Sequence, residues 1–360
     1  MNRIFEQLSR FGWDDWFETK TQEMNQPGRR IARVVAVDRE QFLVIDESGE
    51  FRAKLAGRFL HTTGQPTDFP CVGDWVSIQY SGSDDFGIIH DVFPRKSFLR
   101  RKASGDAVEF QMIAVNIDVA LIVLSCQFDF NVNRLERYLV MVRSGQVEPV
   151  VLLTKADLID IETLRELIDE IRNAGITAEV IALSTITGDG VDSLRDMLQS
   201  GKTYCLLGSS GVGKSSLINR LTGQHMLATN MVSATGEGRH TTVRRELILL
   251  NNGAMLIDNP GMRELGIMGA EEGMGGSFAD IDRLAAKCKY RDCSHSNEKG
   301  CAVLSAVEDG SLQRAHYLNF IKLRAEAEFH DLSYLEKRNR DKAFGRHVKS
   351  VKKELGIKRR

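Results

Sequence analysis

Residues 203–221 read TYCLLGSSGVGKSSLINRL, and this stretch decides the fold class of the central part of the chain. An apolar run leads into G-x-x-x-x-G-K-S, from Gly208 to Ser215, and an amphipathic segment follows it. A glycine-rich loop between a strand and a helix turns its backbone N–H groups toward a phosphate at the helix N-terminus. In such a loop Lys214 reaches the β and γ oxygens, and the Ser215 hydroxyl ligates Mg²⁺. The stretch therefore predicts a domain that binds a nucleoside triphosphate.

Apolar, β-branched runs occur on both sides of this loop and alternate with helical segments. The runs are NIDVALIVLS (116–125), EPVVLLT (148–154), TAEVIALS (177–184), KTYCLLG (202–208) and AMLID (254–258). Helical patterns fill residues 133–143 and 161–174. Runs buried on both faces and interleaved with helices are typical of a mostly parallel sheet. We predict a doubly wound α/β domain over residues 98–266.

The tetrapeptide TKAD at 154–157 directly follows one of these runs and predicts which base is bound. At the end of such a strand, the Asp157 carboxylate can accept hydrogen bonds from the ring N–H and the exocyclic amine of guanine, a donor pair that adenine lacks. The loop that begins at Ser184 can supply a backbone N–H to guanine O6. T-K-x-D by itself is also common in surface turns, but with the Ser184 loop it favours GTP over ATP.

Two further segments predict the γ-phosphate and Mg²⁺ contacts. Asp258 ends the AMLID run, where it can hold Mg²⁺ through a water, and the Gly261 N–H can meet a γ-phosphate. In GRHTT, residues 238–242, either Thr241 or Thr242 can complete the Mg²⁺ shell that Ser215 begins. The predicted nucleotide contacts are Thr154, Lys155, Ala156, Asp157, Ser184, Gly208, Ser209, Ser210, Gly211, Val212, Gly213, Lys214, Ser215, Ser216 and Gly261.

The order of these motifs differs from that of ordinary small GTPases, in which the phosphate loop comes first. Here the base-reading segment at 154–157 precedes the phosphate loop that begins at Gly208. This order predicts a circularly permuted GTPase domain. Because the chain leaves that domain directly after residues 258–261, we expect γ-phosphate binding to be transmitted to residues 267–360.

Between Arg30 and Phe93 the pattern changes to short β-rich runs separated by Gly, Asp and Ser turns. The runs are ARVVAVD (32–38), QFLVID (41–46), FRAKLAG (51–57), DWVSIQY (74–80) and GIIHDVF (87–93). Five such strands are typical of an OB-type β-barrel, which we predict over residues 29–97. Barrels of this type often bind RNA, but many merely join domains.

A cluster of potential metal ligands follows the α/β domain. Its members are Cys288, Cys293, His295 and Cys301, spaced C-x4-C-x-H-x5-C. Three thiolates and an imidazole complete a tetrahedral shell and leave no open position, as in structural Zn²⁺ sites. The other cysteines lie apart in apolar surroundings, which favours a reducing compartment over disulfides. We predict one structural zinc ion in an α-helical domain over residues 267–330.

Each end of the chain carries a biased segment. Residues 1–28 form an aromatic, amphipathic stretch, which we interpret as a helical arm that packs on a neighbouring domain, with a partner-binding arm as the alternative. The tail at 331–360 is basic, and within it residues 337–360 hold eleven Lys and Arg against two Asp and Glu. Such density predicts an arm that contacts nucleic-acid phosphates, with a solvated helix end as the alternative.

Length and composition are those of a globular, multidomain enzyme. The chain has 360 residues, 42 % of them hydrophobic, and a formal net charge of -1. Near-neutrality at first argues against a nucleic-acid partner, but it is a cancellation between the basic tail and an acidic remainder. No apolar run approaches the roughly 20 residues of a membrane span, and charges interrupt the N-terminal segment. We therefore expect no membrane association and a cytoplasmic location.

The order T-K-x-D, G-x-x-x-x-G-K-S, G-R-H-T-T, D-x-P-G and C-x4-C-x-H-x5-C, behind an OB-like barrel, closely resembles the ribosome small subunit-dependent GTPase A (RsgA) family. V-G-D-W-V at 72–76 and R-K-A-S-G from Arg101 also resemble that family's barrel and linker. The resemblance spans residues 30–310. It implies a GTPase that acts in late maturation of the small (30S) ribosomal subunit, contacts 16S rRNA through the barrel and zinc domain, and is stimulated by that subunit.

Three residues depart from that family's pattern. Asn259 stands in place of the usual Thr, a change that we expect to be mild. Thr185 stands where the guanine loop commonly has Ala, and we expect a slight change in base affinity. Thr154 replaces an Asn whose amide would tie the base loop to the phosphate loop, although the family tolerates either residue.

The predicted catalytic residues are His240 and Lys214. Many GTPases orient the attacking water with a Gln after the D-x-x-G glycine, whereas this chain has Met262, which cannot do so. His240, beside the threonine candidates, can accept a water proton, and the resemblance also points to it; a purely structural histidine is the alternative. We expect slow intrinsic turnover until a partner orders the site.

Two other functions fit the same motifs. One is a GTP-gated RNA-binding scaffold in which hydrolysis is incidental. The other is a permuted GTPase that serves the large subunit or another RNA. Further assembly factors are an open question as partners, and nothing in the sequence requires a dimer, so we expect a monomer.

Overall fold

The computed structural model describes residues 2–21, 28–38, 41–57, 59, 65–80, 86–102, 110–223, 245–258 and 271–331. Several sequence predictions lie outside these ranges: those for His240, Thr241, Thr242, Asn259, Gly261, Met262 and the basic residues at 337–360. Within the described ranges, no helix combines the length and the hydropathy that a membrane crossing needs.

A five-stranded barrel forms the N-terminal part. Its strands are β1 (Arg30–Asp38), β2 (Gln41–Asp46), β3 (Gly49–Leu55), β4 (Trp75–Tyr80) and β5 (Phe86–Val92). β1, β2 and β3 pair antiparallel, β3 pairs parallel with β5, and β4 closes the barrel between β5 and β1. Alternating burial along β2 places Phe42 and Val44 in the interior. The predicted OB-type barrel is confirmed.

The strands of the α/β part are β8 (Val119–Ser125), β9 (Glu148–Thr154), β10 (Glu179–Ala182), β11 (Thr203–Leu207), β12 (Glu246–Leu249) and β13 (Met255–Asp258). Their order in the sheet is β10-β9-β8-β11-β13-β12. The helices are α3 (Val132–Ser144), α4 (Ile161–Asn173), α5 (Val191–Met197) and α6 (Lys214–Thr222). All pairings are parallel except that of β12 with β13. The doubly wound architecture is confirmed, and the sequence prediction missed the short antiparallel strand β12.

The two parts share one continuous sheet. β1 pairs with β12 through Ala36 and Glu246, so the barrel extends the α/β sheet. A hairpin of β6 (Phe98–Lys102) and β7 (Phe110–Val115) lies between them in the chain. The sequence prediction missed the hairpin, and it missed the β1–β12 pairing because contacts between distant segments leave no local periodicity.

The N-terminal arm consists of two short helices, α1 (Asn2–Ser9) and α2 (Asp15–Thr21). Gly12, with φ +87°, allows the sharp turn between them. Trp13 is buried, and its ring lies edge-on against Trp75 at 4.9 Å and Phe93 at 5.9 Å between centroids. The interpretation that the arm packs on a neighbouring domain is confirmed.

Arg33 joins the arm, the barrel and the α/β part. Its buried guanidinium donates to the carbonyl oxygens of Phe11, Gly73 and Asn116. It also lies over the Trp75 ring, 5.5 Å from the centroid. Burial lowers its pKa to about 10, so the side chain still carries its charge at neutral pH.

Helices form the C-terminal part: α7 (Glu271–Ser277), α8 (Ala279–Ala285), α9 (Ala302–Glu308) and α10 (Arg314–Asp331). Phe278, Ile281 and Val303 are fully buried among them. This part packs on α3: a Cβ at Gly273 would lie 2.2 Å from the Val140 carbonyl oxygen, so the backbones of α7 and α3 touch.

Candidate functional site

The phosphate loop follows β11 and curls tightly into α6. Gly208, Gly211 and Gly213 all have positive φ, at +147°, +82° and +103°. Only glycine adopts such conformations readily. A Cβ at Gly208 would lie 2.4 Å from the Val123 carbonyl oxygen, so neighbouring backbone also excludes a side chain there. The loop therefore has the curled backbone that the phosphate-binding prediction requires.

Lys214 lies inside this loop. Its Nζ donates to the carbonyl oxygens of Gly208 at 2.8 Å and Ser209 at 2.5 Å. Burial lowers its pKa to about 8, while the carboxylates of Asp258 and Asp129 act in the opposite direction. Negative charge in the loop would restore the ordinary pKa, so the ammonium group is well placed to bind phosphate oxygens.

The base-reading loop is tied to the phosphate loop. The Thr154 hydroxyl lies 2.6 Å from the Val212 carbonyl oxygen, to which it donates, and 3.1 Å from that of Leu124. The expectation that Thr154, lacking an amide, gives up this connection is therefore wrong. Lys155 follows in the left-handed region, with φ +59°, and Asp157, the residue predicted to read guanine, is exposed.

The loop after β10, in which the predicted base contact Ser184 lies, is joined to the TKAD loop. The Ala156 N–H donates to the Leu183 carbonyl oxygen at 3.2 Å, which joins it to the TKAD loop. The Ser184 N–H donates to Asp189, and its hydroxyl accepts from the amides of Ile186 and Thr187, both at 3.1 Å.

One backbone amide of this turn, that of Thr185, is left free to donate to a ligand. Among the described residues of the turn, 184–189, every other backbone amide donates a hydrogen bond within the turn, and that of Thr185 does not. The sequence prediction assigned the O6 contact to the loop that begins at Ser184, and the hydrogen-bond pattern within that loop distinguishes Thr185 from Ser184 as its free donor.

Two of the predicted magnesium ligands, Asp258 and Ser215, lie within the described residues, at the carboxyl edge of the sheet. Asp258 ends β13, is buried, and acts electrostatically on Lys214. Ser215 lies in the first turn of α6. Hydroxyl and carboxylate oxygens are the donors that Mg²⁺ prefers, so both residues fit this ion. The carboxyl ends of β9, β10, β11 and β13 thus bring together segments that lie far apart in the sequence.

Asp129 is a residue near the loop that the sequence prediction missed. It lies in the turn between β8 and α3, and Ser209 and Lys214 counteract the burial that raises its pKa. The sequence did offer one signal for Asp129, since a carboxylate that closely follows a buried strand is a candidate for the site. The sequence could not show that β8 and β11 are neighbours.

The four predicted zinc ligands form a compact cluster. The Cys288 Sγ lies 3.6 Å from the His295 Nδ1 and 3.8 Å from the Cys301 Sγ, and the Cys301 Sγ lies 3.4 Å from the His295 Nδ1. All donor atoms, with that of Cys293, lie within 4.8 Å of one another. Tetrahedral zinc, with Zn–S of about 2.3 Å and Zn–N of about 2.0 Å, separates its donors by about 3.5–3.8 Å. The cluster therefore fits a zinc ion.

Local backbone structure holds these donors in place. His295 has φ +59°, and its carbonyl oxygen accepts a hydrogen bond of 2.7 Å from the Tyr317 hydroxyl. The Cys301 Sγ caps α9 by accepting from the Leu304 N–H at 3.4 Å. Burial lowers the pKa of His295, which favours the neutral imidazole that a metal requires.

A buried polar network fastens the cysteine-containing part to α3. Glu136, on α3, is fully buried and accepts hydrogen bonds from the His316 Nδ1 and the Asn319 side-chain amide. The His316 Nε2 lies 3.2 Å from Asp280. Although burial opposes it, hydrogen bonding to Asp280 and Glu136 raises the pKa of His316 to about 9. The histidine is therefore charged at neutral pH and held between two carboxylates.

Known proteins resemble this chain over most of its length. Residues 92–268 match the sequence model of the RsgA GTPase family. The chain is 40 % identical over 332 residues to "Small ribosomal subunit biogenesis GTPase RsgA" of Opitutus terrae, which covers 89 % of this chain and 90 % of that protein. It is 37 % identical over 348 residues to "Small ribosomal subunit biogenesis GTPase RsgA 1" of Bacteroides thetaiotaomicron, which covers 96 % and 97 %, respectively.

Two solved structures share the fold. YjeQ from Thermotoga maritima matches with a TM-score of 0.63 and 26 % identity, over 83 % of this chain and 98 % of that one. YloQ, described as a circularly permuted GTPase, matches with a TM-score of 0.59 and 27 % identity, over 85 % and 97 %.

Fold and site together define the class: a circularly permuted P-loop GTPase with an N-terminal barrel and a C-terminal cysteine cluster. Within that class, the chain belongs to the RsgA family and is a ribosome-biogenesis GTPase. Membership implies GTP and GDP as ligands and Mg²⁺ as cofactor.

Proposed function

We propose that this GTPase binds the 30S subunit through 16S rRNA in the cytoplasm, acts late in its maturation, and hydrolyses GTP faster when bound to it. The observation that carries the GTP-binding part of the proposal is the single sheet edge on which the phosphate loop, the TKAD loop and the Thr185 turn are hydrogen-bonded together. The names of the relatives, which refer to small-subunit biogenesis, support the choice of partner.

Each residue at this edge has a proposed role. Asp157 reads the guanine donors, and the Thr185 N–H meets O6. Lys214 binds the β and γ oxygens, and the curled loop directs its amides to the β-phosphate. Ser215, Asp258 and one of Thr241 and Thr242 hold Mg²⁺, which when bound neutralises charge on the phosphates. His240 accepts the proton of the attacking water.

The domains on either side supply RNA contacts in this proposal. The barrel at 29–97, the zinc-holding helices at 267–330 and the basic tail face rRNA. The Cys₃His cluster holds one structural zinc ion, which its donor spacing fits. The chain acts as a monomer.

GTP turnover with purified ribosomal subunits tests the proposal. We expect 30S subunits to accelerate turnover and 50S subunits to have no effect. Acceleration by 50S subunits alone would support a large-subunit GTPase, and no acceleration by either would support an RNA-binding scaffold.

His240→Ala tests the proposed base. We expect it to lower 30S-stimulated turnover by about 10²–10⁴-fold and to leave GTP binding unchanged. Undiminished stimulated turnover would exclude a catalytic role for His240.

A further inference from the structure

Asp129 lies beside the phosphate loop, and none of the roles above uses it. β8 pairs with β11, from Tyr204–Val119 to Leu207–Ile122. The turn after β8 therefore lies next to the loop after β11. The Asp129 carboxylate forms an ion pair of 2.7 Å with Arg134 of α3. Burial raises its pKa, while Arg134, Ser209 and Lys214 act in the opposite direction. This carboxylate is thus within electrostatic reach of two phosphate-loop residues.

The two members of this ion pair differ in exposure. The Asp129 side chain is 17 % exposed, and that of Arg134 is 34 % exposed. Water screens the more exposed charge better, so the guanidinium neutralises the carboxylate incompletely. Lys214 is buried nearby, and Asp258 and Asp129 both counteract the effect of burial on its pKa. In the nucleotide-free protein, Asp129 therefore supplies part of the negative charge that a bound phosphate would supply.

We propose that Asp129 is a positioning residue for nucleotide exchange: it serves as the counter-ion of Lys214 between two nucleotides and weakens binding of the phosphates that take its place. The inference rests on the proposed role of the phosphate loop as the GTP site. Like charges repel more strongly at a partly buried site than in water, so a carboxylate held close to a phosphate speeds GDP release. Arg134 limits this repulsion, and the two partners therefore have opposite effects on affinity.

GDP affinity and GDP dissociation rate, measured on the full chain, test this inference. Asp129→Asn removes the charge and keeps the shape, so we expect GDP to bind about tenfold more tightly and to dissociate more slowly. Arg134→Gln leaves the carboxylate unpaired, and we expect GDP to bind about tenfold more weakly. A purely structural ion pair would give the same sign for both variants, because each breaks the same contact.

Asp192→Asn is the matched control. It also removes a carboxylate that pairs with an arginine, Arg195 at 2.9 Å, but on the exposed surface of α5, and we expect unchanged GDP affinity. Urea unfolding checks each variant, and Asp129→Ser replaces Asp129→Asn if the latter does not fold. Unchanged or weaker GDP binding by a folded Asp129 variant would overturn the inference. A wild-type chain that binds neither GDP nor GTP would instead contradict the proposed function.

Discussion

The cysteine cluster and the nucleotide edge are built in opposite ways. The cluster draws all its donors from residues 288–301, and neighbouring turns and the start of α9 hold them. The nucleotide edge collects TKAD at 154–157, the Thr185 turn, the phosphate loop and Asp258 from across the sheet. A site made by local spacing depends on its metal, whereas a site made by strand order depends on the whole sheet. We therefore expect either site to be lost while the other stays intact.

The largest expected effect is loss of the metal. Cys301→Ser, or chelation of the wild-type chain, removes a binding free energy of about 10 kcal/mol from the C-terminal helices. We expect residues 271–331 to lose hydrogen-exchange protection while GDP binding persists, because the sheet does not depend on the cluster. Zinc analysis and a GDP-binding assay check both parts. Protein purified without zinc, yet protected in this region, would contradict the prediction.

Lys214→Ala tests the reverse case, in which the nucleotide edge is disabled and the cysteine cluster is kept. We expect GTP turnover to fall by about 10²–10³-fold, because a buried cation that faces the phosphates is removed. Zinc content and the unfolding midpoint should not fall. Burial lowers the pKa of Lys214, and a charged group whose pKa falls on folding does not stabilise the folded state. Lys202→Ala is the control, because Lys202 is an exposed lysine paired with Asp118. Equal turnover of both variants would show that Lys214 has no part in the reaction.

The next largest effect is expected in the buried network that joins Glu136 of α3 to His316 of the C-terminal helices. Glu136→Ala leaves the charged His316 with only Asp280 as a charged partner, and we expect a loss of about 3–5 kcal/mol from the attachment of the C-terminal helices to α3. Urea unfolding followed by probes in each part should then show two transitions. One cooperative transition at the wild-type midpoint would mean that the network contributes nothing.

The same network predicts a pH dependence. The folded pKa of His316, about 9, lies above its ordinary value of 6.5, so its contribution is fully present below about pH 6.5 and disappears as pH rises through 9. The pKa of Asp280 is lowered by hydrogen bonding to His316, although burial opposes this, so its contribution disappears as pH falls through that lowered pKa. Urea midpoints between pH 6 and 10 should fall for the wild type and change less for His316→Gln. Equal slopes would refute the assignment to His316.

Thr154→Val should have the smallest effect, because it removes a single hydrogen bond, the one from the Thr154 hydroxyl to the Val212 carbonyl oxygen. Removing one hydroxyl donor costs about 1 kcal/mol, and we expect severalfold weaker GTP binding with an unchanged fold. Thr154→Ser keeps the donor and should bind as the wild type does. Equal affinities for Val and Ser would show that the connection between the loops does not matter for binding.

The sequence by itself determined the elements and the local site. Five alternating runs predicted the barrel, and buried β-branched runs predicted the parallel strands. Both predictions were possible because the pattern of apolar and polar residues along a short segment shows which of its faces are buried. The spacing of Cys288, Cys293, His295 and Cys301 was enough to predict a compact cluster, since a short loop allows few alternatives.

Only the tertiary structure decided how these elements meet. It paired β1 with β12, placed Asp129 beside the phosphate loop, and gave the Thr154 hydroxyl the connection that the sequence suggested was lost. It also left the amide of Thr185, rather than that of Ser184, free to donate. These features depend on strand order and on which backbone groups are already hydrogen-bonded, and both arise from contacts between residues far apart in the chain.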